Sequence, residues 1–217
     1  MSALTERICS ADVRLDAQSL DALCQAGDVL ERVNRSGQPK VLRIESAPGA
    51  ALIVKIWYPK GGLSSESLVP YAARFRRNAK RLRRRSVTAP DVLGWGTLEG
   101  TRIRFVCYRE IPGRSLRDRI PDVDLAAVGA YVAELHDSGI DFRSLHMGNI
   151  LWTGRAQFGL IDVTDCYFPR FMSRRKRLRR LQFFCSHRPE RSYLLTNGHW
   201  AQVVSAYCAA AGTDPTW

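Results

Sequence analysis

No run of this 217-residue chain approaches the roughly 18 consecutive apolar residues that cross a bilayer; the longest, Val203 to Ala211, is interrupted by Ser205. The apolar stretch of a signal peptide is missing too, because Glu6, Arg7 and Asp12 occupy its place, so secretion is not expected. The six cysteines (Cys9, Cys24, Cys107, Cys166, Cys185 and Cys208) form no C-x-x-C pair. They are expected as free, mostly buried thiols, since a core of this size does not need disulfides. His136, His146, His187 and His199 share no zinc-type spacing with one another or with a cysteine, so no structural metal is expected. Internal repeats and low-complexity linkers are absent. Hydrophobic residues nonetheless make up 45% of the chain, which excludes an intrinsically disordered protein. The length suits one large domain or two small lobes sharing a cleft.

Negative charge is missing from two intervals, Glu66 to Asp91 and Asp165 to Glu190, which hold no acidic residue between their ends. These intervals carry the basic residues that dominate the charge, eight from Arg74 to Arg85 and seven from Arg170 to Arg180. Setting those fifteen aside leaves 18 basic against 21 acidic residues, so two short segments create the whole formal charge of +12. Local salt bridges are not expected to neutralise them. Each segment also keeps an apolar stripe at helical spacing: Ala72, Phe75, Ala79 and Leu82 in the first, Phe171, Leu178, Leu181 and Cys185 in the second. Each reads as an amphipathic helix with a densely cationic outer face. Three uses are open for that face: plain solvation, an anionic lipid or phosphorylated sugar, and nucleic acid. Nucleic acid is the least favoured, because the aromatics in these segments, Phe75 and Phe171, belong to the apolar stripes and do not interleave the cationic faces to stack on bases.

Strand and turn signals run from residue 28 to 58. Val29 to Val33, Val41 to Ile44 and Leu52 to Tyr58 are separated by Ser36-Gly37-Gln38-Pro39 and Ala47-Pro48-Gly49. Pro70 suits the first turn of the first basic helix, which should end near Arg85. Val92 to Gly96 and Arg102 to Tyr108 follow as strands, and Glu110 to Leu116 breaks the pattern as a connector. Beyond it, Leu125, Val128, Val132 and Leu135 form one helical face that stops at Gly139. Short strands at Ile150 to Thr153 and Phe158 to Asp162 precede the second basic helix. A last helix carries Trp200, Val203, Val204, Tyr207 and Ala211 on one face. The expected fold class is α+β, in the order of a protein-kinase-like two-lobed fold. Residues 1–109 form a β-rich N-terminal lobe with one Arg-rich helix, 110–116 a hinge, and 117–217 a short helical C-terminal lobe.

Three local sequences sharpen this reading. Leu52-Ile53-Val54-Lys55-Ile56 is a buried strand holding one lysine, costly there unless paired, and kinases use such a lysine to hold ATP phosphates. A lysine at a strand edge reaching water is the plainer alternative. Gly139 to Leu151 lies between a helix and a strand, where kinases carry H-R-D-L-x-x-x-N. Gly159-Leu160-Ile161-Asp162-Val163-Thr164-Asp165 is a strand running into an acidic turn. Asn149 and Asp162 could offer two oxygen ligands to one hard cation such as Mg²⁺, or serve only as turn residues.

Through Phe142-Arg143-Ser144-Leu145-His146-Met147-Gly148-Asn149 and Leu160-Ile161-Asp162, the chain resembles the lipopolysaccharide core kinase family. In particular it is similar to the short members often labelled toluene tolerance proteins, the resemblance covering roughly residues 28 to 210. The resemblance implies ATP as donor, Mg²⁺, a cytoplasmic protein and a heptose-containing lipid or its precursor as acceptor. The two basic helices add an expected peripheral contact at the inner face of the inner membrane. The implied acceptor is a lipopolysaccharide core sugar or similar anionic lipid. Lys55 would contact the α and β phosphates, and Glu110, Ile111 and Pro112 would offer backbone groups to adenine. Asn149 and Asp162 would hold Mg²⁺, with Asp165 assisting. Arg76, Arg77, Arg174, Arg175 and Arg177 would bind the anionic acceptor.

Several family features are missing. Ser144 falls where the catalytic-base aspartate belongs, and Phe75-Arg76-Arg77-Asn78 lacks the glutamate that would pair with Lys55. Thr164 replaces the glycine of D-F-G, and Gly27 to Gly37 is no G-x-G-x-x-G loop. Losing the base should slow transfer by roughly 10²–10⁴ without abolishing it. Asp141 and His146 are nearby substitutes. Two functions stay open: an ATP-dependent kinase with a degenerate catalytic loop, and a pseudokinase binding module without phosphotransfer.

Overall fold

Short polar caps start the two N-terminal helices, which precede the first strand signals. In α1 (Ala3–Ile8) the Ser2 side chain accepts the Thr5 N–H, and in α2 (Ala17–Ala26) Asp16 accepts the Ser19 N–H. Between them lies β1 (Val13–Leu15). Ile8, Val13, Leu15 and Leu23 from this segment join Leu42, Ile44, Val54 and Phe105 in one core. The computed structural model describes residues 2–34, 36–59, 69–154 and 157–213.

The expected strands appear as β2 (Asp28–Arg32), β3 (Pro39–Ala47) and β4 (Ala50–Trp57). An apolar run interrupted only by Lys55 buries β4 from Ala51 to Ile56, as a central strand requires. Helix α3 (Tyr71–Arg83) follows, then β5 (Asp91–Leu98) and β6 (Arg104–Arg109). The sheet order is β1-β5-β6-β4-β3-β2, with β1 parallel to β5 and the remaining pairs antiparallel. All four residues of the first stripe, Ala72, Phe75, Ala79 and Leu82, are buried in α3. Phe75 meets Trp57 and Tyr108 with ring centroids 5.6 and 5.5 Å apart.

The chain divides into two compact units, Met1–Arg83 with Ala89–Ile111 and Arg84–Thr88 with Pro112–Trp217. The division at Ile111 and Pro112 falls inside the connector segment, and Arg84 to Thr88 belongs with the later residues.

In the second unit, β7 (Arg114–Ser115) joins a small sheet of order β10-β9-β7 with β9 (Ile150–Gly154) and β10 (Gln157–Leu160). Helix α4 (Leu125–Asp137) is capped by Asp124, which accepts the Ala127 N–H, and ends ahead of Gly139, whose φ is 67°. β8 (Asp141–Phe142) pairs with β11 (Cys166–Tyr167). Three helices follow: α5 (Arg174–Ser186), α6 (Arg188–Leu195) and α7 (His199–Ala211). α4 and α7 approach closely because Gly129 has no Cβ; one there would lie 2.3 Å from the Val203 carbonyl oxygen.

Two sequence expectations are corrected here. Phe171 precedes α5 and is 76% exposed, so the buried stripe is Leu181, Phe184 and Cys185 instead. The strand at Phe158 stops at Leu160, and Asp162 lies outside it with φ 52° and ψ 42°. Among the described residues, no helix is long and apolar enough to cross a membrane. A β-rich unit with α3 between β4 and β5, followed by a helical unit with a loop, hairpin and acidic turn, is a kinase-like α+β fold. The segment α1–β1–α2 is added ahead of it.

Candidate functional site

In the first unit, Lys55 is 5% exposed, opposite Val41 on β3 and Val106 on β6. Its Nζ lies 5.7 Å from the Trp57 ring centroid and 5.9 Å from that of Phe75. Two electron-rich ring faces offset part of the cost of burying an ammonium group. The edge-lysine alternative is therefore excluded. Glu110 is tied into the sheet, with Arg43 Nε donating to both of its carboxylate oxygens at 3.1 and 3.0 Å. Its N–H donates to the Ala51 oxygen at 2.9 Å, and Pro112 carries no N–H, so Ile111 supplies the backbone donor of this trio.

In the second unit, Met147–Asn149 forms a 3₁₀ turn leading into β9. Three bonds fix Asn149, which is 8% exposed. Its N–H donates to His146 O at 2.9 Å, its Nδ2 to Ser144 O at 2.9 Å, and its own carbonyl accepts the Ile161 N–H at 3.0 Å. With Nδ2 committed, Oδ1 is the side-chain atom left to accept. Ile161 directly precedes Asp162, so the same hairpin base sets the backbone of both candidate ligands close to each other. Asp162 holds a left-handed backbone, a conformation that costs a non-glycine residue about 1 kcal/mol or more and persists where surrounding structure imposes it. An amide oxygen and a carboxylate suit a hard cation of the Mg²⁺ type.

Val163–Asp165 forms the next turn. Ser144 Oγ donates to Asp165 Oδ2 at 3.1 Å, and Arg143 N–H donates to the Asp165 carbonyl at 3.1 Å. The position where the resemblance expects an aspartate thus presents a hydroxyl bonded to a carboxylate from another turn.

The two substitute bases have other occupations. Asp141 is 2% exposed and receives Arg180 Nε at 2.5 Å and Lys176 Nζ at 2.7 Å from α5. Burial pushes its carboxyl up, but Arg180 and Lys176 outweigh that and hold it below the usual range. A carboxylate so held is a poor proton acceptor. His146 Nδ1 accepts the Gly148 N–H at 3.1 Å, and its ring stacks on His187 with centroids 3.9 Å apart. Burial first, then His187, lowers its pKa to about 4, so it is a weak base.

No local motif marks what lies beside that loop. Glu190 of α6 is fully buried. It accepts Arg117 Nε at 2.9 Å, Gly148 N–H at 3.2 Å and His187 Nδ1 at 2.5 Å. Burial raises its carboxyl pKa, yet His187 and Arg117 pull it below the ordinary value. His146, His187 and Glu190 group closely enough for a metal, despite their lack of zinc spacing. The hydrogen bonds from Arg117 and Gly148 already occupy the carboxylate, and two stacked, near-parallel imidazoles do not converge on one point. The cluster is a hydrogen-bonded anchor of the loop.

The basic segments are less bare than their local sequence suggests. Arg83 pairs with Asp91, and Arg177 with Asp137, while Lys176 and Arg180 share Asp141. The acids come from outside the segments, which local counting overlooks. Arg177 also donates through Nε to the Met172 oxygen at 3.1 Å, so it is committed within the fold. Arg76 stacks on Trp95 at 3.7 Å from the ring centroid, and Arg74 is buried. Arg77, Arg174 and Arg175 are exposed.

No family model matches the chain, and no curated protein matches it. Solved structures of WbdD are similar to it. A 2.2 Å crystal structure of WbdD gives a TM-score of 0.47 at 16% identity, covering 81% of this chain and 44% of that one. A structure of WbdD described as a bifunctional kinase-methyltransferase gives 0.46 at 14% identity, covering 81% and 43%. WbdD in complex with the kinase inhibitor LY294002 gives 0.47 at 16% identity, covering 84% and 47%. The chain spans less than half the length of these proteins.

Proposed function

We propose that the chain is an ATP-dependent phosphotransferase acting on an anionic, membrane-linked sugar such as a lipopolysaccharide core. The observation that carries this reading is the Asn149 to Ile161 backbone bond, which joins an oriented Asn149 to the residue directly before the left-handed Asp162. Asn149 Oδ1 and the Asp162 carboxylate would hold Mg²⁺, and Lys55 would hold the nucleotide phosphates. Bound there, Mg²⁺ would neutralise charge on phosphate oxygens. Asp165, bonded to Ser144, supplies the carboxylate that Ser144 itself lacks, and would accept the acceptor hydroxyl's proton rather than assist the metal. Arg77, Arg174 and Arg175, exposed on the two basic segments, would contact the anionic acceptor, with the cationic faces holding the protein at the membrane periphery.

The test is thermal unfolding with ATP, with and without Mg²⁺, joined to a measurement of ATP consumption. Wild type should be stabilised by ATP and further by Mg²⁺; Asp162→Ala should erase the Mg²⁺ increment, and Lys55→Ala should weaken ATP binding itself. No shift with millimolar ATP and Mg²⁺ would overturn the reading. The hydroxyl at Ser144 favours one alternative, a pseudokinase that binds nucleotide without transfer. Nucleotide binding with ATP consumption at background would select it.

A further inference from the structure

We infer that Glu190 is a positioning residue for Asn149, acting from α6 through the backbone of the 3₁₀ turn; this rests on the reading of Asn149 as a metal-holding residue. The turn is gripped from two sides. On one, Asn149 Nδ2 bonds Ser144 O at 2.9 Å. On the other, the carboxylate of Glu190, with no exposed surface, accepts the N–H of Gly148, the residue directly before Asn149, at 3.2 Å. That carboxylate is itself held by Arg117 and His187. Arg117 lies directly over the turn: a Cβ on Gly148 would come 2.7 Å from its Cζ. Arg117 also reaches His146 Nδ1 at 3.3 Å, so guanidinium, carboxylate and imidazole together enclose the segment from His146 to Gly148. A buried carboxylate with so many donors is costly to desolvate, and its bonds are directed at one short turn. Groups that orient a metal ligand typically change metal affinity 10- to 100-fold when removed.

The experiment compares wild type with Arg117→Met/Glu190→Leu, which removes both charges without leaving one buried alone, and with Glu190→Gln, which keeps an acceptor for Gly148. Mg²⁺ is titrated at saturating ATP by thermal shift, and hydrogen exchange is followed in peptides covering residues 146–149. The double variant should need about tenfold more Mg²⁺, with metal-free ATP affinity changed less than twofold. Exchange over 146–149 should quicken, and Glu190→Gln should stay within about threefold of wild type. Arg191→Ala, an exposed change on the same helix, should move neither readout. Unchanged Mg²⁺ demand and unchanged exchange in the double variant, even with a lower melting temperature, overturn the inference. If wild type shows no Mg²⁺-dependent ATP binding, the nucleotide reading fails by itself; exchange then decides whether Glu190 fixes the turn. Should the double variant not fold, Gly148→Ala gives the same readouts by displacing Arg117.

Discussion

Asp141 and Asp165 flank the same loop, and their surroundings give them opposite uses. Asp141 is clamped by Arg180 and Lys176, while Asp165 faces the hydroxyl of Ser144. Asp141→Ala should therefore cost stability, about 3 kcal/mol or more, because two cations lose a buried partner. Its lowered pKa fixes the sign of the pH effect. The stabilisation is present above the unfolded carboxylate value of 3.8 and is lost as pH falls below it; the variant lacks this acid-side loss. Urea unfolding at pH 7 and pH 3 measures both. Asp165→Asn should leave Mg²⁺-dependent ATP binding in place and lower ATP consumption by roughly 10²-fold or more, as loss of a proton acceptor does. Ser144→Asp, which would restore an aspartate where the resemblance expects one, instead places two carboxylates side by side. One of the pair should titrate upward, so only a modest gain in turnover, or none, is expected.

At the scale of elements, contact between α4 and α7 depends on the missing side chain at Gly129. Gly129→Ala should cost about 1–3 kcal/mol by forcing the helices apart, although alanine is the better helix former in isolation. A lowered urea midpoint with unchanged helical circular dichroism is the expected result. The basic helices α3 and α5 are only partly available for anions, since Arg83, Lys176, Arg177 and Arg180 are paired with acids. Each remaining exposed Arg or Lys that reaches an anionic surface contributes about 1 kcal/mol. Arg174→Glu/Arg175→Glu should weaken binding to phosphatidylserine vesicles at least tenfold, and binding by wild type should fall steeply with added salt. Salt-insensitive binding, or none, would leave these faces as plain solvated surface.

At the scale of the whole molecule, two histidines, one buried and one half-buried, set the acid limit. His136, bonded to Tyr207 Oη at 2.9 Å, and His146 both have pKa values lowered to about 4 from 6.5, chiefly by burial. Below pH 6.5 the unfolded chain takes up protons that the folded chain refuses. Stability should therefore fall progressively from pH 6.5 towards pH 4, with up to two protons taken up on unfolding. His136→Gln, which keeps a partner for Tyr207 but does not titrate, should flatten this slope. Both histidines lie in the second unit, so its unfolding should carry the pH dependence.

Local spacing marked several of the elements, though not α1, β1 and α2. The stripe Ala72, Phe75, Ala79 and Leu82 predicts α3, the run around Lys55 predicts the central strand, and Gly139 marks the end of α4. These signals are legible because period and capping are properties of neighbouring residues. The order of strand, loop and acidic turn likewise placed Lys55, Asn149 and Asp162 in the sequence. The fate of each charge was decided only in three dimensions. Asp141 meets Arg180 across 39 residues, and Arg117 meets Glu190 across 73. Whether a carboxylate is a base, an ion-pair partner or an anchor depends on its burial and on the donors that face it. Those donors arrive from distant segments, so no pattern within α6 distinguishes Glu190, fully buried, from an ordinary exposed helix glutamate.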